Sequence, residues 1–216
     1  MIWEWLNAVI EYFSGFWGRL ELVATITLII NVYLLAKQDI RNYYFGGVGV
    51  LIYGWIFLEY KLYSDMLLQW LYYLPLQAVG YYWWKTKGPG DNDLPIVSLP
   101  SEDRVVWVFG ILSGTFALGY AMATWTDASF PYWDAFTTVM SLVAQYFLIK
   151  KIWENWVLWI VMDVVAIFVY YAKDLYVTSG LYVIFLGLAT FGLFKWIEDY
   201  RNQGEKSLLT KSSFGR

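Results

Sequence analysis

Apolar residues fall into seven long segments along the chain, and short polar breaks separate them. The segments cover residues 20–36, 45–58, 66–84, 105–125, 135–149, 156–172 and 175–194. A helix that crosses the hydrocarbon core of a bilayer needs about 20 residues, and most segments reach that length once the aromatic residues at their ends are included. The segments do not alternate between polar and apolar positions, as the strands of a membrane barrel would. The pattern predicts an all-α integral membrane protein with seven transmembrane helices.

Residues 2–17 have a different pattern from the seven segments. Apolar side chains recur there at helical spacing on one face, and polar side chains occupy the other face. This pattern favours an amphipathic helix that lies in the membrane interface, and an additional transmembrane helix is the alternative. The chain is therefore expected to consist of an N-terminal amphipathic helix at 1–18, a membrane domain at 19–200 and a tail at 201–216.

The composition agrees with a membrane protein and excludes several classes of chemistry. Hydrophobic residues make up 59% of the 216 residues and charged residues 15%, which leaves too little polar surface for a soluble domain. The chain has no Cys and no His. Disulfide scaffolds, haem held by His or Cys, iron–sulfur clusters, zinc enzymes and Ser-His-Asp catalysis are thereby excluded. We expect no cofactor, no metal and no nucleic-acid partner; the lipid bilayer is the expected surrounding.

The distribution of Lys and Arg predicts how the helices are oriented. One side of a seven-helix chain collects twelve of the 15 basic residues, and the other side collects Arg19, Lys61 and Lys173. Cytoplasmic loops carry the excess of Lys and Arg. We therefore expect the C-terminus in the cytoplasm and the N-terminus outside, and only the N-terminus would change sides if residues 2–17 also crossed the membrane.

A weak duplication runs through the sequence at an offset of 112–113 residues. The matched positions include Lys37 and Lys150, Asn42 and Asn155, Tyr63 and Tyr176, Gly80 and Gly192, and Trp84 and Trp196. The duplication pairs residues 20–84 with 130–196 and leaves the helix at 105–125 as a linker, which predicts a 3+1+3 arrangement of two parallel repeats. Parallel repeats are typical of transporters, whose substrate site lies at the repeat interface near mid-membrane. Helix interruptions are expected at equivalent places, Pro75 and Gly187.

Asp163 is the only charged residue near the centre of a predicted transmembrane helix. Placing such a charge in the membrane costs about 2.5–3.5 kcal/mol, so it usually faces a cavity or a partner. Trp156, Trp159 and Asp163 share one helical face, and two indoles beside a carboxylate suit a flat, cationic ligand. The alternatives are a structural hydrogen bond for Asp163 and a place in the interfacial aromatic belt for Trp156.

Four further polar residues inside the membrane segments are candidates for the binding site. Gln77 follows Pro75 closely, and Tyr73 lies four residues before Gln77 on the same face. Asn31 and Gln145 occupy similar places in the two halves. Hydrogen bonds between neighbouring helices are the alternative role for these side chains.

Several stretches of the sequence are similar to the PnuC family of vitamin transporters. The stretches are residues 42–46, 67–69 and 80–84 in the first half and 133–159 in the second, and Glu154–Trp159 is the most specific of them. The resemblance covers roughly residues 20–200. It implies a SWEET-like 3+1+3 fold, a homotrimer, and a transporter of the bacterial inner membrane that takes up nicotinamide riboside by facilitated diffusion, with intracellular phosphorylation trapping the substrate. Sister groups carry thiamine, riboflavin or deoxynucleosides, and these substrates stay open.

Three other classes fit the sequence less well than a transporter. A retinal protein needs a Lys in mid-membrane, whereas Lys173 and Lys195 lie at segment ends. An intramembrane enzyme would need a second buried acid or a nucleophile with a base, and Asp163 has no such companion. A non-transporting receptor or scaffold would not need the repeat with its paired interruptions.

Overall fold

The computed structural model describes residues 11, 13–61, 66–86, 94–126, 130–172 and 176–213. Most of the expected amphipathic helix at residues 2–17 lies outside these residues, so its place at the membrane stays a prediction. Seven helices occupy the described part of the chain. They are α1 (Phe16–Ala36), α2 (Asn42–Glu59), α3 (Leu74–Thr86, which directly follows a π-helical segment, Leu68–Tyr73), α4 (Ser101–Trp125), α5 (Pro131–Ile149), α6 (Asn155–Ala172) and α7 (Tyr176–Ser213).

The helices coincide with the seven apolar segments to within a few residues, except at two ends. Helix α1 begins at Phe16, where Gly15 is the extended N-cap and its carbonyl accepts a hydrogen bond from the Arg19 N–H at 3.1 Å. Helix α7 continues to Ser213 and so includes most of the expected tail. The all-helical prediction is confirmed, with these two shifts in helix boundaries.

Four helical stretches are long and apolar enough to cross a membrane by length and composition. They are Phe16–Ala36, Ser101–Trp125, Asn155–Ala172 and Thr178–Glu205. Their apolar side chains also point outward; Phe109 and Trp125 of α4, for example, are 71% and 80% exposed. Large apolar side chains are exposed in this way where lipid rather than water surrounds a helix.

Contacts divide the chain into two compact units, Met1–Lys85 and Thr86–Arg216. In the first unit, α1 packs against α2, and α2 packs against the π-helical segment. In the second unit, α5 packs against α4 and α6, and α6 packs against α7. A buried cluster of Ile111, Met140, Met162 and Ala166 joins α4, α5 and α6.

The π-helical segment explains one of the two predicted helix interruptions. Pro75 has no N–H to donate to the carbonyl one turn earlier, and the preceding turns widen so that the Leu74 N–H bonds to Gln69 O, five residues back. The expected counterpart at Gly187 is wrong, because α7 runs through that residue as an unbroken α-helix. A glycine removes no hydrogen bond from a helix, whereas a proline does.

The α1–α2 and α5–α6 turns have the same backbone form. Gln38 and Lys151 stand 113 positions apart and have φ values of 56° and 52°. The Gln38 N–H donates to Leu35 O at 2.9 Å, and the Lys151 N–H donates to Leu148 O at 3.0 Å. Each turn thus ends its first helix with a left-handed residue and a backbone hydrogen bond three residues back.

Side chains that follow the two turns are also matched. Asn42 Nδ2 donates to Asp39 O and Asn155 Nδ2 donates to Ile152 O, each at 2.7 Å. The next residue in each half meets a tryptophan edge-on, with ring centroids 5.2 Å apart for Tyr43–Trp84 and 5.6 Å apart for Trp156–Trp196. These matched contacts agree with the duplication in the sequence.

A short extended segment, residues 94–100, covers the α5–α6 turn. Val97 forms a parallel bridge with Ile152, and its N–H donates to Lys151 O at 3.0 Å. The Glu154 carboxylate accepts hydrogen bonds from the Ser98 hydroxyl at 2.8 Å, from the Leu99 N–H at 3.1 Å and from Arg104 at 3.0 Å. We call residues 94–100 the strap; it fixes the chain where it enters α4.

Candidate functional site

The first unit brings two of the predicted side chains together at a glycine. A Cβ placed on Gly46 of α2 would lie 2.7 Å from Asn31 Nδ2 of α1 and 2.7 Å from Gln77 Oε1 of α3. The Asn31 amide also donates to the Asn42 carbonyl at 2.7 Å, which is the helix-to-helix hydrogen bond given above as its alternative role. Asn31 and Gln77 therefore form a half-buried amide pair on the bare backbone of α2.

Tyr73 occupies the last position of the π-helical segment, one turn before Gln77. Its ring meets Tyr72 edge-on, with centroids 5.1 Å apart, and the residue is half-buried. The widened turn and Pro75 displace the backbone between Tyr73 and Gln77 from regular α-geometry. Their shared face was predicted for a regular helix, so a contact of Tyr73 with substrate stays a prediction.

Asp163 of α6 is 3% exposed, which makes it the most deeply buried carboxylate among the described residues. No hydrogen bond or ion pair to it occurs in the described part of the chain. The alternative interpretation, a structural hydrogen bond to a neighbouring helix, thus lacks its partner there. A buried carboxylate without a donor is costly, and a ligand that brings a positive charge would reduce this cost.

Trp159 lies one turn before Asp163 on α6. The indole is half-buried and packs against the cluster of Ile111, Met140, Met162 and Ala166. Gln145 of α5 is buried in the same unit. The second unit therefore contains an aromatic ring, a carboxylate and an amide on α5 and α6, although no contact among the described residues joins the three.

Trp156 lies deeper in the protein than an interfacial belt residue would. It is 1% exposed, meets Trp196 edge-on and lies against Gly192, where a Cβ would come within 2.6 Å of the indole. Its Nε1 has no hydrogen-bond acceptor in the described structure. The belt interpretation is wrong for Trp156, and Trp84 and Trp196 are buried as well. A contact with substrate stays a prediction for Trp156.

The two halves differ in chemistry at equivalent positions of the repeat. Gly46 corresponds to Trp159 at an offset of 113 residues. The amide residues Asn31 and Gln77 correspond to Ala144 and Ala189, both buried, at offsets of 113 and 112. The first half thus combines a bare backbone with two amides, whereas the second combines an indole with two methyl groups.

Sequence reasoning missed the roles of Gly46 and of the strap. A Gly-Gly pair at 46–47 inside an apolar segment was the available signal for Gly46, because glycine weakens a helix unless close packing requires it. The strap is short and irregular, so it has no pattern that predicts its contacts. Only its partner Glu154 lies in a stretch that resembles the family, Glu154–Trp159. The described residues contain no group of three or more acidic side chains that could hold a metal ion.

The fold and its long apolar helices define a multi-pass helical membrane protein. Residues 18–198 match the family described as "Nicotinamide mononucleotide transporter", and the chain belongs to that family. The expected resemblance to PnuC is confirmed.

Relatives with assigned functions cover most of the chain. It is 27% identical over 214 residues to "Nicotinamide riboside transporter PnuC" of Escherichia coli (strain K12), with 88% of this chain and 89% of that protein aligned. It is 27% identical over 186 residues to the protein of the same name from Neisseria mucosa, with 81% and 70% aligned. A crystal structure of the vitamin B3 transporter PnuC superposes with a TM-score of 0.71 at 27% identity, covering 91% of this chain and 88% of that chain. These relatives are named as transporters, not as enzymes.

Proposed function

We propose that this protein carries nicotinamide riboside across the bacterial inner membrane by facilitated diffusion, and that intracellular phosphorylation traps the substrate. The names of the relatives from E. coli and N. mucosa support the substrate. Within the chain, the observation that carries the proposal is the buried Asp163 carboxylate, to which the described residues bring no donor. The pyridinium ring of nicotinamide riboside would supply the missing positive charge.

The candidate residues match the parts of this substrate. The face of Trp159 attracts a flat cation, and Asp163 balances its charge. Gln77 has both a donor and an acceptor for the carboxamide. The remaining candidates, Asn31, Tyr73, Gln145 and Trp156, are proposed to contact the substrate as well and to hold the ribose hydroxyls where they have a polar atom to offer.

The charge of the candidate site favours nicotinamide riboside as the substrate over nicotinamide mononucleotide, the compound in the family's description. The mononucleotide adds a phosphate, and its negative charge would be repelled by the Asp163 carboxylate in a site of low dielectric. Phosphate sites in proteins use Arg, Lys or helix N-termini, and none of the seven candidate residues is basic. We therefore expect uptake of the riboside and exclusion of the mononucleotide.

The architecture proposed for transport is the 3+1+3 repeat. Residues 20–84 form one repeat, 105–125 the linker helix and 130–196 the other repeat, within a transporter domain at 19–200. The matched turns, with φ values of 56° at Gln38 and 52° at Lys151, support this proposal. So do the edge-on pairs Tyr43–Trp84 and Trp156–Trp196.

Seven transmembrane helices, an interfacial helix at 1–18, a cytoplasmic tail at 201–216 and a homotrimer complete the proposal. The distribution of Lys and Arg supports the orientation. A reporter fused after Arg216 should be active in the cytoplasm, and a periplasmic signal would reverse the orientation. Native mass spectrometry of the purified protein should give the mass of three chains.

Uptake by vesicles that contain the purified protein tests the transport function. The protein should equilibrate labelled nicotinamide riboside across the vesicle membrane and leave nicotinamide mononucleotide outside. Trp159→Ala and Gln77→Ala should weaken binding, with about 1–3 kcal/mol for the lost ring by analogy with base–aromatic stacking. Trp125→Ala is the matched control, because that indole is 80% exposed on α4.

Three outcomes would contradict the proposal. Wild-type affinity in both site variants would remove Trp159 and Gln77 from the site. Accumulation above equilibrium, driven by a pH gradient at zero membrane potential, would contradict passive diffusion. Uptake of thiamine, riboflavin or a deoxynucleoside in preference to nicotinamide riboside would replace the substrate.

A further inference from the structure

Gly46 is the point where the amide pair of the first unit meets the backbone of α2. A Cβ at this position would lie 2.7 Å from both Asn31 Nδ2 and Gln77 Oε1, and real Cβ atoms essentially never come closer than 3.0 Å to such atoms. Any side chain at position 46 would therefore have to push at least one amide away. The missing side chain allows both amides to rest on the helix.

The neighbouring glycine shows that this crowding is specific to position 46. A Cβ on Gly47, the next residue, would meet no atom within 4 Å. Glycine is unfavourable in a helix interior compared with alanine. Close packing therefore accounts for glycine at position 46, while packing gives no such reason at position 47.

The two amides at Gly46 are held differently. Asn31 Nδ2 donates to the Asn42 carbonyl at 2.7 Å, which fixes its amide along α2. The oxygen and the carbonyl carbon of the Gln77 amide are its atoms nearest to Gly46, so the nitrogen, with its two N–H donors, lies farther from that position. An N–H donor in this arrangement suits the oxygen of a substrate carboxamide.

The geometry points to Gly46 as a positioning residue for carboxamide recognition: its bare backbone sets the Gln77 amide in the orientation that binds the carboxamide of the substrate. This inference rests on the proposed function. It adds the feature by which the protein would distinguish nicotinamide riboside from other flat cationic ribosides, namely the carboxamide. In the other half, the equivalent position carries Trp159, so one half offers a ring face and the other offers amides.

The test compares the affinities of two cationic ribosides that differ only in the carboxamide. The first is nicotinamide riboside, and the second is pyridine riboside, which has the same charge and the same sugar. Gly46→Ala should reduce the preference for nicotinamide riboside about tenfold, since a hydrogen bond in a binding site is typically lost when its donor is displaced. The affinity for pyridine riboside should change little.

Two other glycines of α2 provide controls. Gly47→Ala should leave the preference unchanged, because its Cβ would meet open space. Gly54→Ala should lower the melting temperature without changing the preference, because its Cβ would collide with Trp70 rather than with the amides. A loss of preference in either control would show that any disturbance of α2 has this effect, and the role assigned to Gly46 would be wrong.

A double-mutant cycle separates positioning from a general loss of structure. In a Gln77→Ala background, Gly46→Ala should cause no further loss of preference, because the amide it positions is absent. An additive loss, or an unchanged preference in folded Gly46→Ala, would overturn the inference. If Gly46→Ala does not fold, Gln77→Asn draws the amide back from Gly46 without adding a Cβ at position 46; it should lower the preference, and a wild-type preference would overturn the inference.

The same measurement distinguishes failure of the proposed function from failure of the role assigned to Gly46. If the wild-type protein binds neither riboside, the proposed function fails, and carboxamide recognition fails with it. If the wild type binds nicotinamide riboside and the variants keep its preference, only the role of Gly46 fails.

Discussion

The α1–α2 turn and the α5–α6 turn have the same backbone form, and the second one also anchors the strap, a separate segment of the chain. In the first, Arg41 pairs with Asp39 two residues earlier, at 2.6 Å, and its side chain is 67% exposed. In the second, the equivalent residue is Glu154, whose side chain is 13% exposed and accepts hydrogen bonds from the strap. The difference shows that one turn can serve as an exposed corner or as an anchor.

The sign of the charge at this one position explains the different partners. An arginine has only donors, so it binds a carboxylate, which Asp39 provides within the same turn. A glutamate has only acceptors and can satisfy backbone N–H groups, such as that of Leu99 in the strap. Position 39 is matched by Ile152, which is nearly buried and faces Leu99 in an apolar cluster. The second turn is thus adapted to hold the chain that leads into α4.

Removing the anchor should have the largest effect. Glu154→Ala leaves the Leu99 N–H and the Ser98 hydroxyl without their acceptor and removes the carboxylate partner of Arg104, and we expect a loss of about 2–4 kcal/mol in the free energy of unfolding. Arg41→Ala is the matched control in the exposed turn and should change stability little. Thermal unfolding in detergent measures both variants, and equal effects would show that the two turns do not differ in energetic role.

The glycine contacts behind the two turns should respond alike. A Cβ on Gly192 would collide with the Trp156 indole, and one on Gly80 would collide with the Tyr43 ring. Alanine at either position should therefore cost about 1–3 kcal/mol through overpacking. Gly187→Ala is the control, because its Cβ would meet open space and alanine favours the helix.

Melting temperatures again provide the measurement for these glycine variants. A loss at Gly192 without a loss at Gly80, or the reverse, would contradict the matched packing of the two halves. A loss at Gly187 equal to that at Gly192 would show that alanine destabilises α7 at any position.

Hydropathy predicted the helices well because burial in lipid leaves a strong apolar pattern over some twenty residues. The interruption predicted from the repeat at Gly187 was wrong, since the sequence shows a glycine but cannot show whether a helix bends there. The strap was missed because its contacts with Glu154 join residues 50 to 56 positions apart without any periodic pattern.

Candidate site residues were predicted from polarity and from shared helical faces, which identify Asp163 and Gln77 but cannot show what these side chains face. The role of Gly46 depends on atoms of three helices, and no spacing in the sequence encodes that meeting. The burial of Trp156 depends likewise on Gly192, which lies in another helix. Long-range packing of this kind becomes visible only in three dimensions.

A smaller effect, on ligand binding, is expected from removing the charge of Asp163, a buried position at which the two halves differ. Asp163 corresponds to Val50 at an offset of 113 residues, and both are buried. Asp163→Asn should weaken binding of cationic nicotinamide riboside about tenfold, because a nearby opposite charge is lost. Binding of its uncharged dihydro form should not change, and equal losses for the two ligands would contradict a counter-charge role.

The residue of the first half also provides the control for this substitution. Asp163→Val should give a folded protein with an equal or higher melting temperature, because replacing a buried charge by an apolar side chain is often neutral or stabilising. A protein that melts at a lower temperature would show that Asp163 stabilises the fold. The buried charge would then be explained without a ligand.

The smallest effect should come from the exposed ion pair of the first turn. Hydrogen bonds from the Arg41 side chain and backbone hold the pKa of the Asp39 carboxyl below its usual range. A carboxyl with a lowered pKa in the folded state stabilises the protein above its unfolded pKa, and this contribution is lost as the pH falls through the folded value. The loss should therefore occur below about pH 4, and it should be small because the pair is exposed to solvent and salt.

Comparison of the wild type with Asp39→Asn over the range from about pH 3 to pH 7 measures this contribution. The difference in melting temperature between them should be constant at neutral pH and should shrink only at the acid end. Added salt should reduce it throughout, since ions screen an exposed pair. The α5–α6 turn has Ile152 at the same position and so has no group there that could titrate. A pH-dependent difference that persists in high salt would place Asp39 in a more buried network than the turn allows, and the contrast between an exposed corner and a covered anchor would be weaker.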